Sequence, residues 1–111
     1  MIAIIDYDAG NLRSVEKALD ALGEQPVISR DEKTILSADR VILPGVGSFG
    51  DAMGKLRQYG LVDVIHRVTD QGTPFLGICL GLQLLFERSG ESEGVPGLGI
   101  LPGEIVKFPD T

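Results

Sequence analysis

The residue best equipped for chemistry is the single cysteine, Cys79, in the run Gly77-Ile78-Cys79-Leu80-Gly81. Residues 73 to 78 before it read as a short buried strand, and the apolar stretch after it reads as a helix running to about Arg88. Gly-x-Cys-x-Gly at such a junction is the nucleophile-elbow pattern, with sulfur in place of the usual serine oxygen. A strand that reverses directly into a helix crowds the turn, so side chains at 77 and 81 would strike neighbouring backbone. The bend holds the thiol out at the strand end, where the amino end of the next helix favours a thiolate. The Leu80 N–H is then placed to donate to an oxyanion formed by attack at Cys79. A lone cysteine in an apolar run is ordinarily an inert core residue. The paired glycines and the strand-to-helix switch set this one apart.

Three further groups are candidates. Residues 45 to 50, Gly45-Val46-Gly47-Ser48-Phe49-Gly50, spell G-x-G-x-x-G between a strand and a helix, which alone is the dinucleotide fingerprint. It follows the third strand rather than the first, Pro44 heads it, and the acidic residues about 20 positions on, Asp63 and Asp70, fall on a helix or at its end. Besides a plain tight turn, the other reading is that mobile backbone at Gly45, Val46 and Gly47 approaches a substrate and supplies a second oxyanion N–H. Gln83 lies one helical turn beyond Cys79, so its amide can face the same pocket and bind a small polar substrate, or simply face solvent. His66 is the only histidine. Val64, Ile65 and Val68 claim the inward face of its helix, which turns His66 with Asp63 and Asp70 to solvent. With no second histidine and no other cysteine, no zinc site is expected.

The elements that must position these groups alternate between strand and helix. Ile2 to Ile5 is a continuous apolar run, as in a strand buried on both faces. A helix begins at Leu12, with Leu12, Val15, Leu19 and Leu22 on one face, Asn11 as its N-cap and Gly23 as its stop. Strands follow at Pro26–Ser29 and Arg40–Leu43, with about one helical turn in Arg30–Ser37. Asp51 is expected to cap a helix reaching Tyr59, and Leu61 to Asp70 forms another, with Leu61, Val64, Ile65 and Val68 inward. Short strands are expected at 99–101 and 104–108. Such alternation predicts an α/β fold, a flavodoxin-like open and mostly parallel sheet with helices on both faces and the nucleophile elbow after its fourth strand. In that architecture ligands bind beyond the carboxyl ends of the strands, where the loops 6–11, 44–50 and 77–80 converge.

Composition narrows the function. The 111 residues, 43% of them hydrophobic, suit one domain with a core. A net charge of −6 argues against a nucleic-acid binder. One cysteine excludes an internal disulfide, and the opening Met1–Ile5 run is too short for a signal core, so a cytoplasmic location is expected. No stretch approaches the ~20 apolar residues of a spanning helix, so no membrane association is expected.

Three motifs together carry a resemblance: Asp6-Tyr7-x-x-Gly10-Asn11-x-x-Ser14-Val15, Pro44-Gly45-Val46-Gly47-x-Phe49-Gly50, and Gly77-Ile78-Cys79-Leu80-Gly81-x-Gln83-Leu84-Leu85-Phe86. From end to end the chain resembles the class I, triad-type glutamine amidotransferases, and within them the glutaminase subunits of imidazole glycerol phosphate synthase, an enzyme of histidine biosynthesis. The resemblance implies that Cys79 attacks the side-chain amide of glutamine and releases ammonia, after which water hydrolyses the glutamyl thioester. It implies that Gly45, Val46, Gly47 and Leu80 contact the substrate or its oxyanion, that Gln83 binds glutamine, and that no cofactor is needed. It places Asn11 in a loop facing the partner synthase barrel, which uses the ammonia to make imidazole glycerol phosphate and an aminoimidazole carboxamide ribotide. Activation by that partner would act through a peptide flip in Gly45-Val46-Gly47 that presents or withholds an N–H. The resemblance also implies a triad histidine and glutamate beyond position 111. Residues 1–111 are therefore expected to be the amino-terminal portion of one such domain, inactive alone. Two other readings remain at this point: another triad amidotransferase or cysteine hydrolase, and a non-catalytic flavodoxin-like module binding a nucleotide through residues 45–50.

Overall fold

The computed structural model describes residues 1–8, 12–90, 92 and 94–105. Asn11 and residues 106–108, expected above as a helix cap and part of a strand, lie outside the described residues. The elements run β1 (Ile2–Ile5), α1 (Leu12–Ala21), β2 (Pro26–Ser29), α2 (Glu32–Ser37), β3 (Arg40–Leu43), α3 (Phe49–Gln58), α4 (Leu61–Asp70), β4 (Phe75–Gly77), α5 (Leu80–Leu84), β5 (Arg88–Ser89) and β6 (Glu104–Ile105). Strands β1 to β4 form one parallel sheet in the order β2-β1-β3-β4, and β5 pairs with β6 in a separate parallel pair.

Side-chain alternation along the strands divides the interior into two layers. Ala3, Ile5, Val41 and Leu43 point to one face and meet Ile35, Phe49, Met53, Leu56, Ile65 and Leu84 from the helices. Ile2, Ile4 and Ile42 point to the other, where Leu12, Val15 and Leu19 of α1 cover them. This double burial explains why β1 reads as an unbroken apolar run. Helix α4 shows which effect wins locally. Its sequence LVDVIHRVTD is rich in β-branched residues, costing at most about 0.7 kcal/mol each in helix propensity. Burial of Leu61, Val64, Ile65 and Val68 stabilises it by about 1.5–3 kcal/mol per side chain, which outweighs that cost.

Several boundaries differ from expectation for identifiable reasons. The cap of α3 is Ser48, not Asp51: the Ser48 hydroxyl accepts the Asp51 N–H at 3.2 Å, leaving Asp51 in the first turn. Leu22 leaves the apolar face and stands 77% exposed, because α1 ends in a Schellman turn. Glu24 N–H donates to Leu19 O and Gly23 N–H to Asp20 O, both at 3.0 Å, with Gly23 at φ +82°. Helix α5 stops at Leu84 rather than near Arg88, since the next carbonyls are taken from outside the helix. Leu98 donates to Leu84 O, Leu101 to Leu85 O, Gly99 to Phe86 O and Gly97 to Glu87 O, at 2.7–3.1 Å. The same bonds keep 99–101 from being a strand. Strand β4 covers only residues 75–77 of the expected 73–78. Among the described residues no helix is long and apolar enough to cross a membrane.

Candidate active site

Strands β1, β3 and β4 are neighbours in the sheet, so the segments leaving their carboxyl ends converge. At the end of β4, Ile78 N–H still donates to Leu43 O at 3.0 Å, continuing the ladder one residue past the strand. The chain then breaks sharply. Cys79 has φ 55° and ψ −122°, a combination that is essentially glycine territory. Gly81 N–H donates back to Ile78 O at 2.9 Å and Leu82 N–H to Cys79 O at 3.0 Å, which starts α5 at once. Cys79 is exposed.

The glycines at 77 and 81 are demanded by this reversal. A Cβ on Gly77 would lie 2.7 Å from Leu82 Cα and 2.8 Å from Gly81 O, and one on Gly81 would run into the Leu43 carbonyl. Both obstacles are backbone, so neither can move aside cheaply. Helix α5 is only five residues long, shorter than the sequence pattern suggests, so its dipole is correspondingly small.

The segment after β3 lies directly against the elbow. Gly45 is buried, Val46 is 48% exposed and Gly47 is exposed with φ +94°. A Cβ on Gly45 would approach Gly81 N to 2.8 Å and Leu80 Cβ to 3.1 Å, so the two loops touch. The Leu80 N–H, expected to serve an oxyanion, donates to the Gly45 carbonyl at 3.2 Å. Any anion formed at Cys79 therefore competes with that carbonyl. Gln83 is half-buried on α5, one turn beyond Cys79.

The amino end of α3, where a dinucleotide phosphate would sit in a G-x-G-x-x-G site, is already used. Gly50 N–H donates to Ser92 Oγ at 3.0 Å, Asp51 N–H to Ser48 Oγ, and Ala52 N–H to Ser48 O at 3.1 Å. His66 is half-buried midway along α4, whose carboxyl end leads back to the start of β4 rather than to Cys79.

Two features here have no local sequence signal. The Tyr7 hydroxyl, in a side chain 2% exposed, donates to the Pro44 carbonyl. Burial pushes its ionisation up to about 12. Beside it, Arg30 pairs with Asp6 at 3.2 Å and Asp8 at 3.0 Å and lies 4.0 Å over the Tyr59 ring. The Tyr59 hydroxyl donates to Asp8, and Lys55 stands 3.6 Å from it. Hydrogen bonds from Tyr59 and Arg30, with the charges of Arg30 and Lys55, hold the Asp8 carboxyl below the usual carboxylate range. These partners are 22 to 51 residues apart, so only the folded sheet brings them together.

Comparison with known proteins places this geometry. The family model for class-I glutamine amidotransferases matches residues 3–107. The chain is 58% identical over 108 residues to the imidazole glycerol phosphate synthase subunit HisH of Bacillus cereus strain G9842, covering 97% of this chain and 52% of that protein. It is 54% identical to the HisH subunit of Synechococcus elongatus, covering 96% of this chain and 49% of the relative. For the Methanocaldococcus jannaschii subunit the identity is 50%, covering 99% and 55%. The chain thus spans about half the length of the curated relatives it matches. Among solved structures, a glutamine amidotransferase aligns at TM-score 0.80 and 22% identity, covering 96% of this chain and 56% of that one. A peptidase E-type protein of Listeria monocytogenes aligns at TM-score 0.74 and 13% identity, covering 90% and 62%.

Proposed function

The chain belongs to the class-I glutamine amidotransferase family, and on that premise we propose that it is the amino-terminal portion of a single glutaminase domain. The whole protein would be the glutamine-hydrolysing subunit of an imidazole glycerol phosphate synthase working in the cytoplasm. The observation that carries this reading is an exposed cysteine in a glycine-like backbone conformation, directly against the Pro44–Gly47 segment. Identities of 50–58% to HisH subunits support the particular pathway.

In this reading the Cys79 thiolate attacks the side-chain carbonyl carbon of glutamine. The carbonyl oxygen becomes an oxyanion, stabilised by the Leu80 N–H and by an N–H of the Gly45-Val46-Gly47 segment. The tetrahedral intermediate collapses as its nitrogen takes a proton and leaves as ammonia, which forms a glutamyl thioester. Water then adds to the thioester, and glutamate departs as the sulfur is released. Gly45 and Val46 line the substrate, and Gln83 holds its polar groups. Because Leu80 N–H is bonded to Gly45 O, a turn of the Gly45–Val46 peptide must precede catalysis. Both proton transfers of this reaction are assigned to a histidine, held in place by a glutamate, in the half of the relatives' length that residues 1–111 do not span, so residues 1–111 alone are expected not to turn over glutamine. Asn11 is assigned to the face that meets the synthase barrel, to which the ammonia passes.

The test uses the full-length protein with its synthase partner. Cys79→Ala is expected to lower glutamine-dependent synthesis by roughly a thousand-fold or more, while synthesis from added ammonia proceeds. Retained glutamine-dependent turnover in Cys79→Ala would overturn the assignment. Failure of the synthase to co-purify would point to a different amidotransferase.

A further inference from the structure

The segment that must turn is pinned at two successive carbonyls by two different donors. The second, Gly45 O, is held by Leu80 N–H, the donor that substrate has to recover. The first, Pro44 O, is held by Tyr7, a side chain 98 parts buried to 2 exposed that arrives from the end of β1. Pro44 is itself buried, and its ring fixes φ. The close fit extends to the neighbouring residue, since a Cβ on Gly45 would lie 2.5 Å from the Tyr7 hydroxyl. The Tyr7 phenol stays protonated across the physiological range and remains a donor throughout.

We propose that Tyr7 is a positioning residue for the glutaminase reaction: its hydroxyl fixes the Pro44–Gly45 peptide, confining the reorientation that frees Leu80 N–H to the Gly45–Val46 peptide. This deepens the glutaminase reading and rests on it. Tyr7 acts in this proposal through the Pro44 carbonyl and not on the sulfur or the substrate. It supplies the fixed end of a short pivot whose moving end carries Val46 and Gly47. Without that fixed end, both peptides rotate, and the glycine segment presents its N–H groups to the oxyanion position in only a fraction of molecules. The loss falls on the chemical step, where the oxyanion develops, and not on initial binding of glutamine.

The experiment compares wild-type and Tyr7→Phe in the full-length protein bound to its synthase partner. Two thiol reagents are used: a glutamine-like chloroketone, which needs the oxyanion site, and iodoacetamide, which does not. Tyr7→Phe is expected to slow chloroketone labelling of Cys79 and lower kcat for glutamine by about ten-fold, with KM within about two-fold and iodoacetamide labelling unchanged. Unchanged kcat and chloroketone labelling overturn the proposal. So does an equal fall in both labelling rates, which would mark general damage to the elbow, or a rise in KM alone. If Tyr7→Phe does not fold, 2,3,5-trifluorotyrosine at position 7 replaces it, since its phenol ionises several units lower. Chloroketone labelling should then fall with rising pH relative to iodoacetamide labelling, and a ratio independent of pH overturns the proposal. A wild-type protein that iodoacetamide labels but the chloroketone does not would instead overturn the glutaminase reading itself.

Discussion

At the scale of single residues, Cys79 sets side-chain chemistry against backbone comfort. Its φ of 55° and ψ of −122° lie where any side chain is strained, at a cost of about 1–3 kcal/mol. Replacing Cys79 by glycine should therefore leave the full-length protein about 1 kcal/mol or more stable than replacing it by alanine. In an ordinary helix interior the order would be reversed, with glycine about 1 kcal/mol worse. Denaturant unfolding of the two variants decides the sign, and an alanine variant as stable as the glycine one would mean the bend is unstrained. The thiol and its glycines were legible in the sequence because their spacing is local and sterically dictated. Engagement of Leu80 N–H by Gly45 O was not, since it depends on how a loop 35 residues upstream is seated.

At the scale of elements, one charged cluster ties the end of β1 to β2 and α3. Asp8 gathers Arg30, Lys55 and Tyr59, and its carboxyl is held below the ordinary range, chiefly by the Tyr59 hydroxyl. A depressed folded pKa contributes stability above the unfolded value, near 4, and loses it as pH falls through the folded value. Asp8→Asn should thus lower Tm at pH 7, with the difference shrinking below about pH 4 and also in high salt. Asparagine tolerates the left-handed backbone at this position, φ +66°, so the change adds no strain. Thermal unfolding of both proteins across pH measures this, and a difference independent of pH would exclude the carboxylate as its source. The identities of β1, α1, β3, α3 and α4 followed from apolar runs and periodicity, because each turns apolar side chains toward the core, whereas α2 was legible only as about one helical turn, with Ile35 alone fully buried. The region after α5 did not, because the chain from 97 to 101 folds back onto the carbonyls of residues 84–87, a tertiary competition no local pattern records.

At the scale of the whole molecule, the sheet's two faces are unequally dressed. Among the described residues, helices α2 to α5 cover one, while α1 is the helix that covers the other. Leu76, in register with Ile42, is left 56% exposed beside a groove lined by Ile2, Leu19, Ile42 and Phe75. That groove lies at the amino ends of the strands, opposite the cysteine, and β4 is the outermost described strand beside it. Residues 1–111 produced alone should self-associate through this surface, and Leu76→Lys should weaken the association by about ten-fold or more. Sedimentation at increasing concentration measures it, and a wild-type piece that stays monomeric would show the surface is inert. The parallel architecture was readable from the alternation of elements, whereas the uneven cover was not, since it depends on how far one ten-residue helix reaches across four strands. The position of β4 carries a last consequence. The strand that ends at the sulfur is also the rim of the described sheet, so a separately expressed polypeptide zipped onto that rim would arrive next to Cys79. On the proposed reading that rim is a seam for a split reporter, in which reassembly of two pieces is read out as glutamine-dependent chemistry at Cys79.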